Sequence, residues 1–130
     1  MKYFFSILVL LFTFSSISSQ NSAIQLTFEK ESIELGKVKK GDKETFQYHF
    51  TNSGSEAIEI AIVSGCECTT LDWTRGEIKP GEKGVIDVIF DSTEKEASET
   101  VDVDLYLKNI NPKTESRYLF ILDYTFELVE

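Results

Sequence analysis

The chain is poor in the residues that most often carry chemistry. Its 130 residues hold one histidine, one tryptophan and two cysteines, and the single methionine is Met1. His49 has no nucleophile partner by spacing, which disfavours acyl transfer by a Ser-His or Cys-His pair. A structural zinc site takes about four ligands, and only His49 could join Cys66 and Cys68. Calcium needs about six to eight oxygens in a compact loop, and no Asp-rich loop occurs. Asp102 and Asp104 share one strand face and read as solvated acids, as do Asp87 and Asp91. With 22 acidic residues, carboxylate pairs are unavoidable and nothing singles one out for glycoside chemistry. No cofactor is expected.

Positive charge is also scarce. Lys and Arg number 13 against the 22 acids, a net charge of −9. That balance argues against nucleic acid and against an anionic membrane surface. It fits a solvated surface. There is one long apolar run, Tyr3 to Phe14, of about a dozen residues, and a spanning helix needs about 20. Lys2 precedes the run and a Ser-rich stretch follows it, the layout of a secretory signal peptide. We therefore expect a signal peptide over residues 1–19, cleaved after Ser19, and one domain over residues 20–130. No cysteine follows the run, which argues against a lipoprotein anchor. The product is expected to be periplasmic or secreted, with no integral membrane span.

What the sequence does have is period-two alternation. Ile24, Leu26 and Phe28 alternate with polar neighbours, as do Phe46, Tyr48 and Phe50. Ile58, Ile60 and Ile62 follow the turn Asn52-Ser53-Gly54. Ile86, Val88 and Phe90 follow Lys79-Pro80-Gly81-Glu82-Lys83-Gly84, a strong turn signal. Val101 to Leu107 and Phe120 to Leu128 complete six clear runs. Shorter ones fall near Ile33–Leu35 and Leu71–Trp73, with a loop over Asn109–Lys113. Helical spacing is absent except for a possible turn at Glu94–Ser98. Strands with one apolar and one polar face belong to antiparallel sheets wetted on one side. The expected fold is all-β, an immunoglobulin-like antiparallel β-sandwich of about seven strands. It lacks the usual inter-sheet disulfide, because both cysteines lie in one segment. Aromatic residues at inward positions must supply the core instead. Parity puts His49 outside and Ile62, Ser64, Cys66 and Cys68 on the inward face, with a bend or bulge at Gly65.

Four short stretches, in order, carry a family resemblance. Leu35-Gly36-Lys37-Val38-Lys39-Lys40-Gly41 resembles an apolar-Gly-x-apolar-x-x-Gly opening, and Phe50-Thr51-Asn52-Ser53-Gly54 resembles F-x-N-x-G. Ser64-Gly65-Cys66-Glu67-Cys68-Thr69 resembles S-C-G-C-T, and Ile78-Lys79-Pro80-Gly81-Glu82-Lys83-Gly84 resembles I-x-P-G-E-x-G. Together they resemble the bacterial exported family called domain of unknown function 1573. That family is similar to the Ig-like sandwiches of the major sperm protein and Hydin type. The resemblance spans about Ile33 to Asp91 and brings no activity with it. Its Cys-Gly-Cys is Cys-Glu-Cys here, with the glycine displaced to Gly65.

The Cys66/Cys68 pair has three readings. Extended residues i and i+2 lie about 6.6–7.2 Å apart, and a disulfide prefers Cα separations of about 4.4–6.8 Å. A bond therefore needs a kinked backbone. Closing a three-residue loop removes chain entropy worth at most about 1.6 kcal/mol, so such a bond would add little stability. The pair is a local disulfide or two half-buried thiols, a redox couple in an oxidising compartment, or a Cu(I) ligand pair. No Lys, Arg or His lies within six residues of Cys66 to lower a thiol pKa, and Glu67 would raise it.

The function these observations favour is an exported, non-catalytic binding or scaffolding module of the cell envelope, with an unidentified protein or envelope partner. The alternative is a thiol redox or Cu(I)-handling protein using Cys66 and Cys68. Trp73 reads as a core residue at a sandwich end or as part of a contact surface. The Cys66–Thr70 and Asn109–Lys113 loops are further contact candidates.

Overall fold

The computed structural model describes residues 23–130. The expected signal peptide, residues 1–19, lies outside the described residues. Nine strands follow in chain order: β1 (Leu26–Phe28), β2 (Ser32–Lys39), β3 (Lys43–Asn52), β4 (Ile58–Ser64), β5 (Thr69–Trp73), β6 (Glu77–Ile78), β7 (Lys83–Asp91), β8 (Glu99–Asn111) and β9 (Ser116–Val129). They form an immunoglobulin-like sandwich of a four-stranded sheet, β1-β3-β7-β5, on a five-stranded sheet, β2-β9-β8-β4-β6. The pairings are antiparallel except β2 with β9, which is parallel. The two-residue β6 has no alternation to reveal it, so it escapes a reading by periodicity. Glu94–Ser98 is not helical. Asn109–Lys113 is only partly loop, because β8 runs on to Asn111 before the hairpin turns.

Alternation builds the core. Tyr48 and Phe50 on β3, Ile86, Val88 and Phe90 on β7, and Leu122, Tyr124 and Phe126 on β9 are all at most 2 % exposed. Aromatic rings bridge the layers: Phe46 and Phe90 pack on Tyr124 at 5.1 and 5.3 Å, and Phe90 on Phe126 at 4.6 Å. Each such ring buried contributes roughly 1.5–3 kcal/mol, so the aromatic layer replaces the missing inter-sheet disulfide. His49 lies on the exposed face of β3.

The inward parity of β4 breaks earlier than the sequence suggests. A bulge falls between Ile60 and Ile62, opposite Leu107 and Tyr106. The extra residue flips every side chain after it. Ile62 therefore faces solvent at 47 % exposure, and Val63 takes its place inside at 4 %. The irregularity expected at Gly65 is instead the end of the strand, where the chain leaves one sheet for the other.

The family stretches are largely architectural. Asn52 is fully buried. Its amide donates to Glu56 O and Ile78 O, both at 2.9 Å, and its Oδ1 accepts the Gly54 N–H at 3.1 Å. Gly81 N–H donates to Asn52 O at 2.8 Å. Asn52 thus ties the β3–β4 turn to the Pro80-Gly81 turn. Gly84 stands directly across from Phe50 in the β3–β7 register. A Cβ there would come within 2.3 Å of the Phe50 ring, so the glycine leaves room for the aromatic. At the other end, the buried Ser92 hydroxyl donates to Asp42 O and accepts the Gly41 N–H, closing the β2–β3 turn.

Candidate functional site

The Gly65–Cys68 crossover carries the chain from β4 in one sheet to β5 in the other. Thr69 N–H donates to Cys66 O at 3.0 Å and closes a tight turn, and Asp91 N–H on β7 donates to Cys68 O at 2.8 Å. The turn draws the two Cα atoms to 5.2 Å, and the sulfurs are joined as a disulfide. That separation is shorter than an extended strand allows and lies inside the disulfide range. Both cysteines are half-buried and pack against the core. Their inward position comes from the turn, not from continued strand parity.

Two hydroxyls reach the sulfurs. Thr69 stands opposite the buried Phe90 and so points between the sheets. Its Oγ1 lies 3.5 Å from Cys66 Sγ, 3.4 Å from Cys68 Sγ and 2.7 Å from the Tyr124 hydroxyl. Tyr124 Oη is 3.6 Å from Cys68 Sγ, and Cys68 N–H donates to Cys66 Sγ at 3.2 Å. Burial pushes the Tyr124 phenol above its ordinary range, against the lowering effect of the Thr69 hydrogen bond. Sequence reasoning missed both hydroxyls. The signal was there in part, because a tyrosine at inward parity in a core strand needs a partner for its O–H.

Carboxylates surround the outer side of the turn. Glu67, Cys68, Asp91 and Glu94 line a cavity of about 230 Å³. The hydroxyl and amide of Thr93 hold the Asp91 carboxyl below its usual range. Among the described residues, no group of three or more His, Cys, Asp or Glu is placed to hold a metal ion. His49 is opposite Val85 at one end of β7, whereas Cys68 meets Asp91 at the other.

Trp73 ends β5 with one side on the core and the Arg75 guanidinium 3.8 Å over its ring. Its buried indole N–H has no partner among the described residues. The Asp72 carboxyl accepts the Trp73 N–H and bonds Arg75, which lowers its pKa in that order of effect. The more extensive apolar surface lies elsewhere. On the outer face of the five-stranded sheet, Ile62, Tyr106 and Leu119 stand in one cross-strand row, and Ile121 lies in the next, opposite Asp104. Ile62, Leu119 and Ile121 are 47, 43 and 60 % exposed. The bulge in β4 is what adds Ile62 to this face.

Two packed sheets of alternating strands, with a local disulfide at one crossover, define an immunoglobulin-like β-sandwich module. The chain belongs to the family described as Protein of unknown function (DUF1573), which it matches over residues 26–120. No curated protein matches the sequence. Among solved structures, a protein of unknown function from Porphyromonas gingivalis W83 is similar at 17 % identity and TM-score 0.64, over 89 % of this chain and 51 % of that one. The VesB protease of Vibrio cholerae is similar at 14 % and 0.61, over 79 % and 32 %. A PapD-like domain of human CEP192 is similar at 10 % and 0.59, over 98 % and 99 %. The chain therefore spans about half of the first of these proteins and about a third of the second. At such identities the likeness is one of fold.

Proposed function

We propose that this chain is an exported, non-catalytic binding or scaffolding module of the cell envelope, and that it docks a protein partner on the outer face of its five-stranded sheet. The N-terminal run of residues 1–19 supports export. The observation that carries the binding reading is the Ile62–Tyr106–Leu119 row with Ile121 beside it. Outer faces of sandwiches alternate to polar residues, and contiguous exposed apolar side chains mark interaction surfaces. Here the row runs across three paired strands, β4, β8 and β9, and no third layer covers it among the described residues.

A photo-reactive residue placed at Ile121 in the full-length protein, in intact cells, tests this. One discrete protein adduct is expected from that position and none from Thr45, on the outer face of the other sheet. Leu119→Lys with Ile62→Lys, in the same probe-bearing chain, should remove the adduct and leave the circular dichroism unchanged. Equal adducts from Ile121 and Thr45, or none from either, would refute the docking face.

A further inference from the structure

We propose that the Cys66–Cys68 disulfide is a thiol–disulfide exchange site for cationic dithiol segments, with Cys68 the sulfur attacked and Cys66 the leaving thiolate. This stands on the crossover alone and is independent of the docking face.

The two sulfurs are not equivalent. Only Cys66 Sγ receives the Cys68 N–H, at 3.2 Å, whereas the Thr69 hydroxyl stands between the sulfurs, 3.5 Å from Cys66 and 3.4 Å from Cys68, and the Tyr124 hydroxyl lies 3.6 Å from Cys68. Tyr124, at 2.7 Å from Thr69 Oγ1, can donate into that oxygen and leave the Thr69 proton for whichever sulfur carries charge. Burial keeps the Tyr124 phenol protonated, so it remains a donor. Once Cys68 is attacked and its sulfur is bonded again, the Cys68 N–H and the shared Thr69 hydroxyl stabilise the charge left on Cys66, as hydrogen bonds to an anion do. Cys68 instead lines the cavity of about 230 Å³ with Glu67, Asp91 and Glu94. The three carboxylates oppose charge on Cys68. They also attract Lys or Arg flanking an incoming thiol, and the cavity gives that thiol a way in.

The exchange balances without any further reagent. A thiolate of the dithiol attacks Cys68 Sγ, the Cys66–Cys68 bond breaks, and its electron pair goes to Cys66. The second thiolate of the dithiol then attacks its own partner sulfur in the mixed disulfide, and Cys68 leaves as thiolate. The dithiol is oxidised to a disulfide and the Cys66–Cys68 bond is reduced. The two protons lost by the dithiol end on Cys66 and Cys68 through solvent. A leaving group of lower pKa departs faster, which is the role given to Cys66. One disulfide is consumed per dithiol, so the reaction is stoichiometric.

The test uses the oxidised protein and two synthetic dithiol peptides of equal cysteine spacing, one flanked by lysines and one by glutamates. Acid quench, alkylation and mass spectrometry follow both partners. At low salt the lysine peptide should be oxidised about tenfold faster, and at about 1 M salt, where screening is short-ranged, the difference should collapse. Thr69→Val should slow exchange about tenfold, the loss expected for one hydrogen bond to a charged group. Thr70→Val, on the exposed side of β5, should not. Tyr124→Phe, which keeps the ring in the core, should act in the same direction as Thr69→Val with a smaller effect. In the fully reduced protein, iodoacetamide at neutral pH should modify Cys66 before Cys68. Oxidation of neither peptide, equal rates for both at low salt, or faster alkylation of Cys68 would each overturn the proposal. The cross-linking result at Ile121 is unaffected by any of these outcomes.

Discussion

Replacing Gly84 by alanine should destabilise the protein by about 1–2 kcal/mol. A Cβ at Gly84 would lie 2.3 Å from Phe50 Cζ and 2.8 Å from both Cε atoms. Carbon atoms rest about 3.5–4.0 Å apart, so the ring or the strand must move by more than 1 Å. Phe50 has little room to do so. It is 1 % exposed, and its ring packs on Phe28 at 5.5 Å. Overpacking of this kind costs about 1–3 kcal/mol. Against it, alanine narrows the unfolded ensemble and returns about 0.4–1 kcal/mol. The net loss follows from the difference. It would be read from urea denaturation followed by tryptophan fluorescence. At a slope of about 1–3 kcal/mol per M, the midpoint should fall by several tenths of a molar or more with the slope unchanged. Phe50→Leu in the same chain should recover part of the loss, with a double-mutant coupling of about 1 kcal/mol. A neutral or stabilising Gly84→Ala, or losses that simply add, would refute the argument that Gly84 exists to admit the Phe50 ring.

Three further outcomes follow from the same structure. Asn52→Ala should cost about 2–4 kcal/mol in the same assay, because it removes the buried amide that donates to Glu56 O and Ile78 O. Burial, and for Tyr48 also the nearby Asp123, raises the phenols of Tyr48 and Tyr124 above the 10.0 of a free tyrosine. The unfolded chain then ionises first as pH rises, so both contributions are intact below about pH 10 and stability falls above it. Urea midpoints from pH 8 to 11.5 should show this fall, and Tyr48→Phe or Tyr124→Phe should flatten it. Cys66→Ser with Cys68→Ser should leave a folded protein that is less stable by under about 3 kcal/mol. About 1.6 kcal/mol of that is loop entropy and the rest the loss of half-buried sulfur, and a chain that fails to fold would show the crossover to be a structural keystone.

Much of this molecule could be read along the chain, because an antiparallel sheet imposes a local rule. Side chains alternate, so Tyr48, Phe50, Val88, Phe90, Tyr124 and Phe126 declare themselves inward and His49 declares itself outward without knowledge of any neighbour. The turns declared themselves too, since Asn52-Ser53-Gly54 and Pro80-Gly81 have few other conformations open to them. The pairing of those two turns through the Asn52 side chain was not legible, since a buried amide and a solvated one look alike in sequence. Nor was the bulge in β4. Ile58, Ile60 and Ile62 keep perfect alternation, and only the register against Leu107 and Tyr106 turns Ile62 outward to join Leu119 and Ile121. The cysteine turn divides in the same way. Its spacing showed that any Cys66–Cys68 bond must be kinked and weakly stabilising, and left free thiols, a redox couple and a Cu(I) pair open. Only the packing of β9 against β5 brought Tyr124, 56 residues from Cys68 in sequence, to the sulfurs. Local sequence sets which face a side chain takes while a strand keeps its register, but a bulge is set by the neighbouring strand and contacts between sheets by how two twisted layers stack, which no stretch of the chain encodes by itself.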